Sequence, residues 1–333
     1  MSSAIMLATS AILLLMALPV TTHVSSSSST NNTATAATLT DLNQTGGASE
    51  ETIDVYQNPL VGILANELET RINKSGAILE ITSRLSEVNS APFASSISPE
   101  LHGIPRDADT PKRKVAQDIL DIDKDFEVIY FLMPNGDMYL EEPYSRQENL
   151  TRSNFAFRDY FRGALDSRDT YLGDIIISAS SGRPQANIAV PIYSEDNETL
   201  VGVWAAGLNI TLLGNSLQLL NLTNNDQRVV YLDQQGQKIA DSNSQSHSSL
   251  LANNTSSNES FANLQAFKNA INGQSGSTTE MINGKMMLIS YHPMKAFSNV
   301  WAILFMEPCH LAETGKSSSN VSMLSSPLIV ISP

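Results

Sequence analysis

Val128-Ile129-Tyr130 followed by Gly136 recurs as Val229-Val230-Tyr231 followed by Gly236, at an offset of 100 or 101 residues. Each copy reads as an apolar strand, a Gly turn and a second strand, and the Asn135-Gly136 pair is a strong hairpin signal. A helical stretch follows each hairpin, at 154–166 and at 261–271. Three strand-like runs then close each copy: 174–178, 185–193 and 200–210 in the first, 277–282, 285–292 and 299–306 in the second. Asn283-Gly284 turns the first pair of the second set, and Val300-Trp301-Ala302 echoes Val203-Trp204-Ala205. A chain that repeats hairpin, helix and three-stranded meander is constrained to two similar modules. Antiparallel strands in runs, interrupted by single helices, give an α+β fold rather than a doubly wound sheet.

Ahead of the repeats, Leu60, Ile63, Leu64, Leu68, Ile72, Ile78, Leu79, Leu85 and Val88 mostly recur at spacings of three and four. That spacing predicts a long amphipathic helix over 60–88. A Ser- and Pro-rich loop over 90–111 and a shorter helix around 112–120 lead into the first hairpin.

The first residues bear on compartment. Ala4–Val20 is an uncharged apolar run, and a tract of Ser, Thr, Asn and Ala follows it. Such a tract offers nothing for a buried helix to pack on, so residues 1–24 read as a signal peptide or membrane anchor and 25–55 as a polar linker. Eleven Asn-x-Ser/Thr acceptors, Asn197 and Asn209 among them, agree with an extracytoplasmic glycoprotein. With 20 Lys+Arg against 34 Asp+Glu the net charge is −14, which repels nucleic-acid backbones. A single cysteine, Cys309, excludes an internal disulfide framework and any Cys-based metal cluster.

The order and spacing of these runs resemble the double Cache (dCache) extracellular sensor domain, the PAS-like ligand-binding region of many chemoreceptors and sensor kinases. The resemblance covers roughly residues 56–310 and rests on several stretches: the strand 128–133 with its Asn-Gly turn, FAFRDYFRGAL at 155–165, YLGDIIISASSGRPQANIAVPIY at 171–193, LVGVWAAGLNI at 200–210 and VWAILFMEP at 300–308. It implies a long N-terminal helix followed by two PAS-like modules. Residues 56–225 would hold the helix and a membrane-distal ligand-binding module, and 226–310 a membrane-proximal one. Residues 311–333 would be a tail or the start of a second membrane segment.

By the same resemblance, Arg158 sits where the family grips a ligand carboxylate. Tyr160 and Phe161 hold the two aromatic positions after it, and Tyr171 and Asp174 lie on a strand that often lines the pocket. The chain departs from the amino-acid-binding subfamily in three places. It has Tyr160 and Phe161 for Trp and Tyr, Ser153 for a Tyr before the Arg, and Gly207 where an Asp would hold the ligand's ammonium group. Without that Asp, amino acids are not the first expected ligand.

Each candidate has a plainer reading. Arg158 can clamp a carboxylate with two parallel hydrogen bonds, yet most helix arginines are solvated or paired with a neighbour such as Asp159. Adjacent helix residues point about 100° apart, so one of Tyr160 and Phe161 belongs to the core, and Phe161 is the better core residue. Asp121, Asp123 and Asp125 open like a calcium loop, but Phe126 and Leu132 stand where such a loop needs Gly and Glu. A solvated acidic helix end is the better reading. The five histidines form no metal-binding pair, and no cofactor signature is found. No G-x-S-x-G elbow or H-E-x-x-H motif occurs either, so catalysis has no support.

The sequence therefore points to a non-enzymatic extracytoplasmic sensor. It would bind a small carboxylate-bearing molecule through Arg158, Tyr160, Tyr171 and Asp174, and be tethered by its N-terminal segment. The long helix leaves a homodimer open, and signal output would need a separate partner. A structural or adhesive envelope protein that retains the fold without sensing is the alternative.

Overall fold

The computed structural model describes residues 50–194, 198–218, 220, 222, 226–242 and 260–309. The leader at 1–24, residues 25–49 of the linker and the tail at 311–333 lie outside the described residues. Among the described residues, no helix is long and apolar enough to cross a membrane.

Helix α1 spans Glu50–Ser83, so it starts well before the expected Leu60 and carries Pro59 inside it. Its buried stripe is Val61, Leu64, Ala65, Leu68, Ile72 and Leu79. The helix stops before the expected Val88, and its last turn bonds two hydroxyls to its own backbone. Thr82 Oγ1 donates to the Ile78 carbonyl at 2.7 Å and Ser83 Oγ to that of Glu80 at 2.8 Å. Helix α2 (Thr110–Ile122) follows, capped by the Asp109 side chain, which accepts from the Lys112 N–H.

The first sheet begins with the hairpin β1 (Phe126–Leu132) and β2 (Met138–Glu142), turned at Gly136 with φ of 84°. After helices α3 (Tyr144–Glu148) and α4 (Asp159–Ser167) come β3 (Tyr171–Leu172), β4 (Ile176–Ile177), β5 (Pro184–Gln185), β6 (Asn187–Tyr193) and β7 (Leu200–Leu208). Helix α5 (Ile210–Gln218), absent from the sequence reading, leads to β8 (Arg228–Leu232) and β9 (Lys238–Asp241). Helix α6 (Gln265–Ile271), β10 (Gly276–Ile282), β11 (Lys285–Ala296) and β12 (Asn299–Pro308) complete the described chain.

The duplication is visible in the topology. One sheet has the order β2-β1-β7-β6-β3 and the other β9-β8-β12-β11-β10, so hairpin, closing strand and meander occupy the same places in both. Gly136 backs onto Ala156 and Gly236 onto Ala262, at the same point of each module and with no room for a Cβ.

Each sheet is covered on both faces, which is why strands such as FEVIYFL read as continuous apolar runs. Ile129 and Phe131 share a core with α1, whereas Val128, Tyr130 and Leu132 face a second core with Phe155, Phe161 and Ala164. Trp204 and Trp301 are both fully buried in the core that includes α1. The expected strand at 174–178 is instead a two-residue segment, β4, paired with β5 in its own ribbon. The Ser180–Gly182 turn folds this stretch back on itself, and Gly182 has φ of 68°.

The acidic stretch at 121–125 is not simply a solvated helix end. Asp125 accepts from Arg71 Nη2 at 2.5 Å, and Lys74 lies 3.2 Å from both Asp123 and Asp125. These pairs tie the start of β1 to α1.

Candidate functional site

A small cavity with an internal volume of about 30 Å³ opens between the α4 face of the first sheet and the β4–β5 ribbon. Its walls carry Tyr130, Glu141, Arg158, Tyr160, Gln185 and Asn187, with Met138, Leu150 and Phe155 as apolar lining.

Arg158 reaches this cavity because helix α4 starts later than its sequence suggests. Residues 154–158 are an ordered loop in which Asn154 Nδ2 donates to Asp137 Oδ1 at 2.8 Å and the Phe155 N–H to the Gly136 carbonyl at 2.8 Å. Arg158 is the N-cap, with extended backbone (φ −71°, ψ 142°). Its Nη2 donates to the Ile177 carbonyl at 2.9 Å, and its guanidinium lies 5.0 Å from the Phe157 ring centre. Its Nε is buried without a hydrogen-bond partner. No ion pair with Asp159 is formed, and the buried Nε–H remains unused.

Tyr160 is buried in the cavity wall, its ring edge-on to Tyr130 with centres 6.1 Å apart. Burial raises both phenols above the usual tyrosine range, so both stay neutral. Phe161 is core, as its position on α4 suggested.

The opposite chemistry comes from strands. Tyr130 Oη donates to Asn187 Oδ1 at 3.0 Å, and Gln185 Nε2 donates to the same oxygen at 2.7 Å. Gln185 Oε1 in turn accepts from Arg146 Nη2 at 3.1 Å. Asn187 is 1% exposed, yet its Nδ2 has no partner. Glu141, 3% exposed, accepts from Ser180 Oγ at 2.8 Å. Burial pushes its carboxyl up to about 7; Ser180 and Arg146 pull against that rise and Glu142 adds to it.

Gly207, where the resemblance placed a missing Asp, lies directly against this network. A side chain there would overlap the Gln185 amide. The glycine is thus the space into which Gln185 fits.

Two predicted residues lie elsewhere. Tyr171 does not line the cavity; its ring lies against Gly163 on α4, and its strand β3 is the sheet edge, separated from β1 by β7 and β6. Asp174 also stands outside. Its N–H donates to Asp159 Oδ2 at 2.6 Å, while the next residue, Ile175, donates its N–H to Asp233 Oδ2 of the second module at 3.0 Å. Burial, then Asp159 and Asp233, push the Asp174 carboxyl up to about 6. Arg158 and Tyr160 are therefore brought together; Tyr171 and Asp174 are not.

Sequence reasoning missed Glu141, Gln185 and Asn187. Gln185 and Asn187 carried a readable signal, since two polar residues at i and i+2 share one face of an otherwise apolar run. Glu141 carried only the weak signal of a carboxylate ending an apolar strand. No histidine or cysteine lines the cavity.

Hydrogen-bond donors, a carboxylate and aromatic walls around a small cavity, set in one of two PAS-like sheets on a common helix, are the attributes of a sensory ligand-binding domain. The chain belongs to the Cache domain family, whose double-Cache model matches residues 43–313. The ligand-binding domain of the Pseudomonas fluorescens chemoreceptor CtaA, solved with L-isoleucine, superposes with a TM-score of 0.52 at 16% identity, covering 78% of this chain and 93% of that one. The ligand-binding domain of Pseudomonas aeruginosa PAO1 PctC, solved with GABA, gives 0.51 at 13% identity, covering 76% and 98%. That of PctB from the same organism, solved with L-Arg, gives 0.52 at 14% identity, covering 80% and 100%. In sequence, sporulation kinase D of Bacillus subtilis (strain 168) is 28% identical over 145 residues. That match spans 43% of this chain and 27% of the kinase.

Proposed function

We propose that this chain is an extracytoplasmic, non-enzymatic sensor domain that binds a small organic anion in its first module, with Arg158 and Tyr160 at the site. The carrying observation is the pair of unspent donors at the cavity, Arg158 Nε and Asn187 Nδ2. A buried donor without a partner costs stability, and a carboxylate oxygen is the group that would satisfy it. Tyr130 and Tyr160 supply the apolar flanks. The solved relatives bind small molecules with a carboxylate, which agrees with this reading.

The second module is the one nearer the membrane in this reading. Strand β11 runs alongside α1 in the same direction, with His292 facing Gly62 and Phe297 facing Gly76. The chain leaves β12 next to Met286, whose carbonyl accepts from the Cys309 N–H. The start of β11 and the exit from β12 therefore both lie toward the N-terminal end of α1, where the N-terminal apolar run would anchor the protein. Signal would pass along α1 to a partner, and a homodimer through that helix is compatible with its exposed Ile63 and Ile81.

A thermal-shift screen with small carboxylates tests the reading. A specific binder raises the melting temperature in a concentration-dependent way. Loss of that rise in Arg158→Ala, with the unliganded melt unchanged, is the expected result. Silence across the panel, or a shift indifferent to Arg158, would favour an envelope protein that keeps the fold without sensing.

A further inference from the structure

Residues 172–177 run from the edge of the first sheet to the cavity wall and are bonded to the second module on the way. Asn299 Nδ2 of β12 donates to the Leu172 carbonyl, and the Ile175 N–H donates to Asp233 Oδ2 at 3.0 Å. Ile176 then lines the cavity, and the Ile177 carbonyl accepts from Arg158 Nη2. Gly173 lets this strap pass close to α4, since a Cβ there would meet Asp159 Oδ2 and Tyr160 Cβ.

Three carboxylates meet at the strap. Asp159 accepts the Asp174 N–H at 2.6 Å. Asp233, fully buried, accepts the N–H groups of Ile175, Gln235 and Gln237. Such donors favour the charged form of a carboxylate. Asp174 lacks them: its Oδ1 is buried without a partner, and its Oδ2 meets Gln235 Nε2 at a long 3.5 Å. The groups that face it are Asp159 from α4, and Asp233, Gln234 and Gln235 from the β8–β9 turn. Among the described residues, no Lys or Arg forms an ion pair with Asp174. Burial and the two neighbouring carboxylates push its carboxyl up to about 6.

We propose that Asp174 makes this strap a proton sensor, a second input to the domain that acts on the junction between the modules. Protonation removes a charge that Asp159 and Asp233 repel, and the bonds of the strap to the second module tighten. Ionisation adds a like charge beside both, in a partly buried place where repulsion is stronger than in water, and loosens them. The folded carboxyl binds its proton more tightly than an exposed one does. The junction is therefore at full strength in acid and weakens as pH rises through about 6. The device depends only on the strap and the two modules, whichever molecule the cavity takes.

Amide hydrogen exchange of the full chain, corrected for its intrinsic pH dependence, tests this. The Ile175 N–H reports the bond to Asp233 directly. Its protection should fall at least about tenfold between about pH 5 and pH 8, because a rise of roughly two units in one carboxyl is linked to at most about a hundredfold in opening. In Asp174→Asn most of that fall should vanish. Glu141 titrates in the same range and is present in both proteins, so the difference between them isolates Asp174.

A fall of equal size in Asp174→Asn, or wild-type protection of Ile175 that does not change with pH, overturns the proposal. If the variant does not fold, NMR of the wild-type carboxyls decides. An Asp174 carboxyl titrating near 6, with the Ile175 amide moving at the same midpoint, supports the sensor. A carboxyl titrating at the ordinary 3.8, or an Ile175 amide indifferent to it, overturns it.

Discussion

The Gln185 side chain fills the space that any side chain at Gly207 would need, so the amide of one strand depends on the bare backbone of its neighbour. From there Gln185 bridges Arg146 and Asn187. Gly207→Ala should therefore destabilise by about 1–3 kcal/mol through overpacking and weaken binding of small carboxylates. Urea unfolding of Gly207→Ala, Gln185→Ala and the double variant checks the coupling. The double variant should cost clearly less than the sum of the singles. Additive costs would show that the two residues do not share the space.

Trp204 Nε1 donates to Thr82 Oγ1 at 3.1 Å, joining the closing strand of the first sheet to the last turn of α1. Thr82→Val keeps the shape and leaves the buried indole N–H unpaired, a cost of about 1–3 kcal/mol. An unchanged denaturation midpoint would count against the bond.

Arg113 and Glu142 form a buried ion pair at 2.6 Å, and Arg113 also donates to the Ile104 and Pro105 carbonyls at 3.2 Å each. Glu142→Ala strands a buried guanidinium and should destabilise by about 3–5 kcal/mol. The Arg113→Met, Glu142→Leu pair should be far milder, because it removes both charges together. A double variant as unstable as Glu142→Ala would contradict this.

Glu141 gives a pH signature. Its carboxyl is raised to about 7 in the fold, chiefly by burial, from an ordinary value of 4.5. Between those values the folded state holds the extra proton, so stability falls as pH rises. Its favourable contribution is complete below the ordinary value and lost as pH rises through about 7. Glu141→Gln should match wild type near pH 5 and melt higher than wild type at pH 8. A difference in melting temperature that does not change with pH would refute the assignment. Asp174, raised to about 6, should act in the same direction when compared with Asp174→Asn.

The modular plan was legible because periodicity is local. Alternating apolar runs, the Gly136 and Gly236 turns and the buried stripe of α1 need only short stretches of chain to be recognised. The same locality explains the boundary differences. Helix α4 starts at Asp159 because the loop before it is held by Gly136 and Asp137 on the hairpin, and β4 pairs with β5 across a local turn in its own ribbon, outside the five-stranded sheet.

The sequence by itself determined two α+β modules on one long helix, the family they belong to, and Arg158 with Tyr160 as neighbours on one helical stretch. Tertiary structure alone decided the rest of the cavity. Glu141 meets Ser180, Gln185 meets both Arg146 and Gly207, and the Asp174 carboxylate lies outside the cavity against Gln235 while its backbone N–H binds Asp159. Those meetings depend on strand register and on where short strands end, and register is set by cooperative packing across the whole sheet. A residue's type shows what chemistry it can offer; the fold decides which group it faces.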